Sequence, residues 1–272
     1  MTENGTILVT GAAGYVGARL VTRLLAKGYR VRATGRSLAR LRKRPWANHP
    51  GVDLFPADAL DPASIAKACE GCAAAYYLVH SMMPGEGEFE EKDREAARNM
   101  ARAAAEAGLS RLIYLGGLGE ENPALSRHLR SRAEVAEILA AGKTPVTILR
   151  AAMILGAGSA SFEILRYLVD RLPVMITPKW VSTECQPIGI RNVLDYLVGC
   201  LETPGTAGGT FDIGGPEVVT YRELMRTYAR ESGLPPRLVI PVPVLTPRLS
   251  SYWIHLVTPV HAEVARPLAE GL

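Results

Sequence analysis

The 272-residue sequence predicts an α/β fold with a doubly wound parallel sheet and a smaller lobe towards the C-terminus. Three observations carry this prediction. Strand-like and helical segments alternate strictly up to Arg150, which is the order of a parallel sheet with right-handed crossovers. Two strand-like runs, "AYYLV" and "LIYL", are apolar on both faces, as expected of strands covered by helices on both sides. Spaced glycines also separate the first strand from the first helix.

Each element of the first 150 residues has its own local signal. Short apolar runs predict strands, and apolar residues spaced three and four apart predict the helices between them. The predicted strands are Thr6–Thr10, Arg30–Thr34, Val52–Pro56, Ala74–Val79, Arg111–Leu115 and Val146–Arg150. The predicted helices are Tyr15–Lys27, Ser37–Lys43, Pro62–Glu70, Phe89–Ala107 and Leu125–Ala141.

The alternation ends after Arg150. Helices are predicted over Phe162–Asp170, Val193–Glu202 and Tyr221–Ser232, with prolines and short extended pieces between them. The run "TFDIGG" from Thr210 predicts a late strand that returns to the sheet. We therefore assign residues 1–150, with 188–213 returning to them, to the sheet domain. Residues 151–187 and 214–272 are assigned to the smaller lobe.

The spaced glycines predict a phosphate site. A phosphate pair that meets the unpaired N–H groups at a helix N-terminus must approach the backbone closely. Glycines permit this approach, because a Cβ atom would occupy the ligand's space, and they also permit the tight turn. The alternative is a tight turn without a ligand. The expected contacts are Thr10, Gly11, Gly14, Tyr15, Val16 and Gly17.

Composition argues against several other functions. The 31 basic and 27 acidic residues give a mild net charge of +4. The basic stretch Arg36–Arg44 lacks interleaved aromatics, so we interpret it as a solvated helix face and expect no nucleic-acid partner. The chain has no signal-peptide pattern at its start and no run of about 18 apolar residues. We expect a cytoplasmic protein with no integral membrane segment, as a monomer or a homodimer.

The cysteines do not indicate a metal or redox site. Cys69 and Cys72 form a C-x-x-C spacing, but they close a predicted helix with Gly71 as its C-cap. A redox pair should instead open a helix, where the helix dipole lowers the thiol pKa. No second pair completes a zinc site, so no metal is predicted.

The glycine pattern, T-G-x-x-G-x-x-G, resembles that of the extended and atypical short-chain dehydrogenases/reductases. "RAAMILGAG", "QPIGIRNVLDYLVGCLE" and "FDIGGPEVVTYRELM" resemble later segments of that superfamily, so the resemblance covers nearly the whole chain. Within it, the chain is similar to NmrA-like proteins and to the complex I accessory subunit. Bacterial relatives of this type carry "YYLVHSM", "HLRSR" and "LPVMITP", often with a further C-terminal domain. The resemblance implies an NAD(P)-binding Rossmann domain and a substrate-binding lobe.

The resemblance also implies which nicotinamide cofactor binds. NAD-preferring members place an acid near the end of the second strand, whereas this chain has Arg36 and Ser37 there. Arg36 is expected to pair with a 2′-phosphate, which favours NADP(H) over NAD(H). Alternatively, Arg36 is an ordinary solvated residue. Asp58, with Ala59, resembles the acid that receives the adenine amino group, or it is a turn aspartate.

The catalytic residues of the superfamily are replaced. Its members use a Tyr-x-x-x-Lys pair and a serine to protonate and polarise a carbonyl. Here His128 and Arg132 occupy the tyrosine and lysine positions, and Gly116-Gly117 stands where the serine is expected. Arg132 can still hold ribose hydroxyls but cannot act as a base. His128 and His80 are the candidate acids, and activity is then expected to fall as pH rises through the histidine range.

Three functions remain open. The first is an NADP(H)-dependent reductase acting on a small apolar carbonyl or quinone-like substrate. The second is a non-catalytic NAD(P)-binding sensor or scaffold. The third, a sugar-nucleotide epimerase or dehydratase, is disfavoured by the missing tyrosine, lysine and serine. Met153, Ile154, Phe162, Met175 and Trp180 are interpreted mainly as core, and any of them in a cleft would favour an apolar substrate.

Overall fold

In a computed structural model, the structure describes residues 5–79, 88–118, 127–177 and 179–241. His80, the side chain of Trp180 and residues 242–272 lie outside the described parts. The strands are β1 Thr6–Val9, β2 Val31–Gly35, β3 Val52–Pro56, β4 Cys72–Tyr77, β5 Arg111–Gly117, β6 Val146–Ala151, β7 Ile154–Leu155, β8 Val174–Thr177, β9 Glu184–Cys185, β10 Ile188–Gly189, β11 Thr210–Ile213, β12 Val219–Thr220 and β13 Leu238–Pro241. The helices are α1 Tyr15–Ala26, α2 Leu38–Arg42, α3 Pro62–Cys69, α4 Glu88–Glu106, α5 Arg127–Ala140, α6 Ala160–Arg171, α7 Ile190–Glu202 and α8 Tyr221–Glu231.

Seven strands form one parallel sheet in the order β11-β6-β5-β4-β1-β2-β3. The predicted α/β fold with a doubly wound sheet is therefore confirmed. The strand order reverses between β1 and β4, which is where open α/β sheets bind ligands. The Thr10 hydroxyl joins the ends of these two strands, since it donates to the Tyr76 carbonyl at 3.0 Å and accepts from the Leu78 N–H at 3.1 Å.

The sheet's core lies on both faces. One hydrophobic cluster joins β1 and β2 to α1 and α7, and a second joins β4 and β5 to α3, α4 and α5. These helices are amphipathic because their apolar residues recur at helical spacing, so each covers one sheet face. Among the largest buried side chains are Tyr76, Tyr77 and Tyr114, which accounts for strands that read as apolar throughout.

The segment that contains α7 and β11 returns to the sheet, and it is held near the amino ends of the strands. Strand β11 pairs with β6 in parallel, from Thr210 against Ile148 onwards. Arg111, only 8% exposed at the start of β5, donates to the carbonyls of Cys200, Thr203 and Pro204 at the end of α7. A cation at a helix C-terminus is favourable because the carbonyls there carry partial negative charge.

The remaining residues build a second lobe around its own cluster. Buried side chains of α6, α8 and β8 pack together, including Leu165, Val169, Met175 and Met225. Two two-stranded ribbons, β8 with β13 and β9 with β12, belong to this lobe, whereas β7 and β10 pack against the first cluster of the sheet domain through Ile154 and Ile188. Only the helices of this lobe were predicted from the sequence, and each ribbon joins residues that are far apart in the chain.

Cys69 and Cys72 are buried free thiols at the end of α3 and the start of β4, joined through Gly71 with φ of +68°. Burial raises the pKa of the Cys69 thiol to about 12, the opposite of a redox cysteine. Within the described ranges, no three His, Cys, Asp or Glu side chains are grouped to hold a metal ion. None of the helices in these ranges combines the length and hydropathy of a membrane span.

Candidate cofactor and active site

A cleft of about 850 Å³ opens at the carboxyl ends of the sheet strands and continues into the second lobe. The sheet domain contributes the turn after β1, the ends of β2 and β3, and residues of α4 and α5. The second lobe contributes the turn before α6, the inner face of α6, the β9 strand and the start of α8. One cavity therefore joins the predicted phosphate turn to apolar helix faces. The predicted site residues that line it are Thr10, Gly11, Gly14, Tyr15, Val16, Gly17, Arg36, Asp58, Ala59, His128 and Arg132.

The three glycines of the turn after β1 have different structural roles. Gly11 has φ of +65°, and a Cβ there would lie 2.6 Å from the Leu78 carbonyl oxygen. A Cβ on Gly17 would lie 2.4 Å from the Gly11 carbonyl oxygen. At Gly14 a Cβ meets only the Gly11 carbonyl oxygen, at 3.1 Å, and the residue lines the cleft as the N-cap of α1. Gly11 and Gly17 are thus required by the turn itself, whereas Gly14 leaves open the space that a pyrophosphate needs.

The first turn of α1 matches an anion. Tyr15, Val16 and Gly17 line the cleft where the helix has N–H groups without intrahelical partners. No acidic side chain stands in this turn. The Arg44 guanidinium also donates to the Ala13 carbonyl and braces the turn from the neighbouring loop. The donor set is therefore that of a phosphate site at a helix N-terminus.

The end of β2 presents cations rather than a carboxylate. Arg36 lines the cleft as expected, and so does Arg40, which the sequence analysis did not single out. Arg36 lies in the loop after β2 and Arg40 lies on α2, so the signal in the sequence is the basic stretch directly after the second strand. Ser37 is placed differently from expectation: it is absent from the cleft wall, and its hydroxyl accepts the Arg40 N–H as the N-cap of α2. The basic stretch is thus only partly a solvated face.

Asp58 has the positions required for both roles that the sequence allowed, a turn aspartate and a cofactor contact. Its carboxylate accepts the Leu60 N–H at 3.1 Å, which makes it a turn aspartate, and it also lines the cleft. Ala59 lines the cleft beside it, and its carbonyl accepts from the Asn99 amide at 3.0 Å. Asp61, rather than Asp58, caps helix α3. The aspartate is therefore held in a fixed orientation at the β3 end of the cleft.

His128 and Arg132 lie four residues apart on α5, and both line the cleft. Burial and the Arg132 charge lower the pKa of His128 to about 4. The imidazole is therefore neutral at neutral pH. The expected fall of activity as pH rises through the histidine range therefore cannot come from His128, and the other candidate acid, His80, lies outside the described residues. Arg132 has a buried Nε with no hydrogen-bond partner among the residues described, so a donor is left for a ligand.

At the end of β5, two glycines stand where the superfamily resemblance led us to expect a serine hydroxyl. Gly116 and Gly117 both line the cleft. A Cβ on Gly117 would lie 2.9 Å from Leu129 of α5, so the glycine allows α5 to pack closely against the strand end. Leu115 and Leu118 line the cleft on either side of them.

The second-lobe half of the cleft is mainly apolar, with a few polar groups. Of the side chains interpreted as core, Met153 and Ile154 line the cleft, Met175 is fully buried, and Phe162 packs edge-on against Tyr228. Gln186 is held in the cleft wall by donating to the Gly215 carbonyl at 2.6 Å. The apolar wall includes Ile164, Leu165, Leu168 and Met225, and the polar groups include Glu184, Gln186 and Tyr221.

None of these polar groups was predicted from the sequence. Glu184 and Gln186 precede the predicted return segment, and Tyr221 opens α8 directly after its N-cap Thr220. No pattern in the sequence separates cleft residues from surface residues in such short elements. They reach the cleft only because β9 pairs with β12, which lie more than thirty residues apart in the chain.

These features define the class of the protein: an α/β protein with the Rossmann topology and a dinucleotide cleft at its topological switch point. Comparison with protein families identifies the group. The model of the NAD(P)H-binding family matches residues 11–166, and the chain belongs to this family. The resemblance to the short-chain dehydrogenases/reductases is thereby confirmed at the level of an atypical, Rossmann-type member.

Similar proteins include enzymes named as reductases. The chain is 27% identical to a ceramide reductase of Caulobacter vibrioides over 238 residues, which cover 86% of this chain and 73% of that protein. It is 35% identical to a dihydroflavonol 4-reductase of Zea mays over 130 residues, 44% of this chain and 36% of that enzyme. Such plant relatives are matched over only 26% to 37% of their own length.

A solved structure shares the whole fold. A nucleoside-diphosphate-sugar epimerase from Staphylococcus aureus superposes with a TM-score of 0.77 at 16% identity, covering 98% of this chain and 89% of that one. At this identity the likeness concerns the fold alone.

Proposed function

We propose that the protein is an NADP(H)-dependent oxidoreductase that reduces a small apolar carbonyl or quinone-like compound. The observation that carries this proposal is the single cleft, which is lined by the phosphate turn at one end and by apolar helix faces at the other. The reductase names of several relatives support the reaction type. The apolar wall formed by α6 and α8 supports the substrate class.

The cofactor preference rests on the end of β2. Arg36 and Arg40 line the cleft there, and the five-residue strand and its loop contain no acid that would hold ribose hydroxyls. A 2′-phosphate suits two guanidinium groups because charge-assisted hydrogen bonds are the strong ones. When bound, the nicotinamide cofactor supplies a hydride to the substrate.

The chemistry left to the chain is polarisation rather than acid catalysis. With a pKa of about 4, His128 remains neutral at neutral pH and can donate an N–H hydrogen bond to a substrate oxygen. Arg132 holds the cofactor's ribose through its available donors. A substrate that accepts hydride readily, such as a quinone or an enone, needs no more help than this, and the final proton comes from water.

A second candidate function is a non-catalytic NADP(H)-binding protein. It is favoured by Gly116-Gly117, which place no hydroxyl at the end of β5, and by the neutral imidazole of His128. Both features weaken acid catalysis while leaving the dinucleotide cleft complete.

The test is a panel of quinones, enones, aldehydes and sugar nucleotides assayed with NADPH and NADH from pH 6 to 9. We expect turnover of quinones or enones with NADPH, at a rate that does not follow the deprotonation of His128 over this pH range. His128→Phe should lower turnover more than NADPH affinity, whereas Arg132→Ala should weaken NADPH binding as well. Tight NADPH binding without turnover of any compound would support the non-catalytic function. Failure to bind either cofactor would refute both.

A further inference from the structure

Helix α5 has one face in the cleft and another against α4. His128 and Arg132 lie on the cleft face, one helical turn apart. Ser131, between them in sequence, is only 2% exposed. The direction in which α5 points its cleft residues therefore depends on how its other face is held.

A buried carboxylate holds that face. The Ser131 hydroxyl donates to Asp93 Oδ2 of α4 at 3.3 Å, and Asp93 is only 6% exposed. Aspartate is rarely buried so deeply without a specific partner. In the sequence, Asp93 closes an acidic run, Glu86–Asp93, of the kind that interacts favourably with a helix N-terminus. Glu91 of this run does lie on the surface, paired with Arg94, but Asp93 points inward.

The same turn of α5 is held from the sheet. The Tyr114 hydroxyl of β5 donates to the Arg132 carbonyl at 3.3 Å. Tyr114 is 1% exposed, and its ring packs 6.1 Å from that of Tyr77. Burial raises the pKa of both tyrosines. Of the nearby charges, Asp93 raises it further and Arg132 lowers it, so these two charges lie near the same pair of rings.

A further contact joins the two helices at the surface. Arg94 pairs with Glu134 at 2.7 Å, but their side chains are 29% and 42% exposed. Ion pairs of this kind contribute little, because solvent screens them. Of these two contacts between α4 and α5, the buried one, from Ser131 to Asp93, is therefore the one that we expect to resist rotation of α5.

We propose that Asp93 is a positioning residue, which through Ser131 fixes the rotation of α5 that places His128 and Arg132 in the cleft. Asp93 does not line the cleft, so it acts through Ser131 and not on a ligand. It acts by accepting a hydrogen bond, not by its charge. The importance of the two cleft residues rests on the proposed function, but their placement by Asp93 does not.

The first test follows the histidine signals by NMR in the protein without cofactor. In the wild type, we expect the His128 ring to stay neutral from pH 8 to pH 5. Ser131→Ala frees α5 to turn and brings water to the ring, so its pKa should rise by about one unit or more towards the ordinary value. Asp93→Leu should do the same. Asp93→Asn keeps an acceptor for Ser131 and should leave His128 as in the wild type.

The matched control removes an equally buried hydroxyl elsewhere. Thr147 of β6 is fully buried and donates to the Thr206 carbonyl at 2.8 Å, away from the cleft wall. Thr147→Val should lower the melting temperature about as much as Ser131→Ala does, without changing the His128 titration. The signal of His128 is assigned by its loss in His128→Gln.

The second test measures NADPH affinity by fluorescence titration. Ser131→Ala and Asp93→Leu should each weaken binding by about tenfold, and the double variant by no more than Asp93→Leu alone, because Asp93→Leu already removes the contact with Ser131. An unchanged His128 titration in Ser131→Ala would overturn the proposal. So would an Asp93→Asn variant that behaves like Asp93→Leu, since charge would then be the cause. If the wild type does not bind NADPH, the proposed function fails, and the histidine titration still decides the role of Asp93.

Discussion

The two halves of the cleft are built from different kinds of structure. The half in the sheet domain brings backbone to the cleft, because several of its lining residues are glycines at the turn and the strand ends: Gly11, Gly14, Gly17, Gly35, Gly116 and Gly117. The half in the second lobe is formed by side chains of α6 and α8, such as Leu168 and Met225. A backbone surface changes only if the fold changes, whereas side chains can be exchanged on an unchanged scaffold. Cofactor binding and substrate choice should therefore be separable by mutation.

The largest effect is expected where a side chain enters the backbone half. Gly14→Val places a branched side chain in the pyrophosphate space and should abolish nucleotide binding, with the fold largely intact. Fluorescence titration with NADPH and thermal unfolding measure the two outcomes. In contrast, Gly17→Val should destabilise the protein itself, because its Cβ would lie 2.4 Å from the Gly11 carbonyl oxygen. Unchanged affinity in Gly14→Val would show that no pyrophosphate lies there.

The second effect is expected in the acid stability of the protein, through His128 of α5. The pKa of His128 is about 4 in the folded protein, below its ordinary value of about 6.5 in the unfolded chain. The unfolded chain thus binds the proton first, and the stabilising contribution is complete above about pH 6.5. It is lost between pH 6.5 and pH 4, to a total of about 3 kcal/mol.

Urea unfolding at a series of pH values measures this loss. His128→Gln should remove the difference between pH 6.5 and pH 4, whereas His49→Gln, at an exposed position, should leave it. An equal pH dependence in the wild type and in His128→Gln would mean that His128 is not buried in the folded protein.

A smaller effect is expected at the adenosine end of the backbone half. Arg36→Ala removes a charge-assisted contact worth roughly 1.5–3 kcal/mol, so NADPH binding should weaken by about ten- to a hundredfold. NADH binding should change little, since NADH has no 2′-phosphate. Arg42→Ala is the control, because Arg42 is an exposed residue of α2 that does not line the cleft. Equal losses for the two cofactors would show that Arg36 does not contact a 2′-phosphate.

The smallest effect is expected in the side-chain half. Met153→Gln keeps the size of the side chain but makes the cleft wall polar, at a cost of about 1 kcal/mol in substrate binding. The KM for an apolar quinone or enone should rise about fivefold, with NADPH affinity unchanged. Ile176→Gln, on an exposed strand face outside the cleft, should alter neither value. A parallel loss of NADPH affinity in Met153→Gln would contradict the separation of the two halves.

The same contrast explains what could be predicted from the sequence. The strands, the helices and the glycine turn of the sheet domain depend on local spacing, so they were predicted within a few residues. The second lobe contains two-residue strands, and these exist only because distant segments meet. For example, Glu184 and Cys185 pair with Val219 and Thr220. Local propensity carries no signal for such contacts.

At the site, sequence position identified residue types better than their roles. Arg36, Asp58, His128 and Arg132 were placed in the cleft by motif alignment alone. Alignment could not show that the Ser37 hydroxyl caps helix α2, since this depends on the backbone φ and ψ angles of Ser37. Nor could it show that His128 is neutral, because burial and the neighbouring charge of Arg132 set its pKa.

The pairing of β11 with β6 affects how the protein folds during its synthesis. On the ribosome, β6 emerges well before its outer neighbour, because the whole stretch from Ala152 to Gly209 must be synthesised between them. Until then β6 is an unprotected edge of a parallel sheet, and such edges readily pair with other chains. Contacts between distant residues also form slowly. Nascent chains stalled before Ile213 are therefore the species in which aggregation should begin, and chaperones would act most usefully on them.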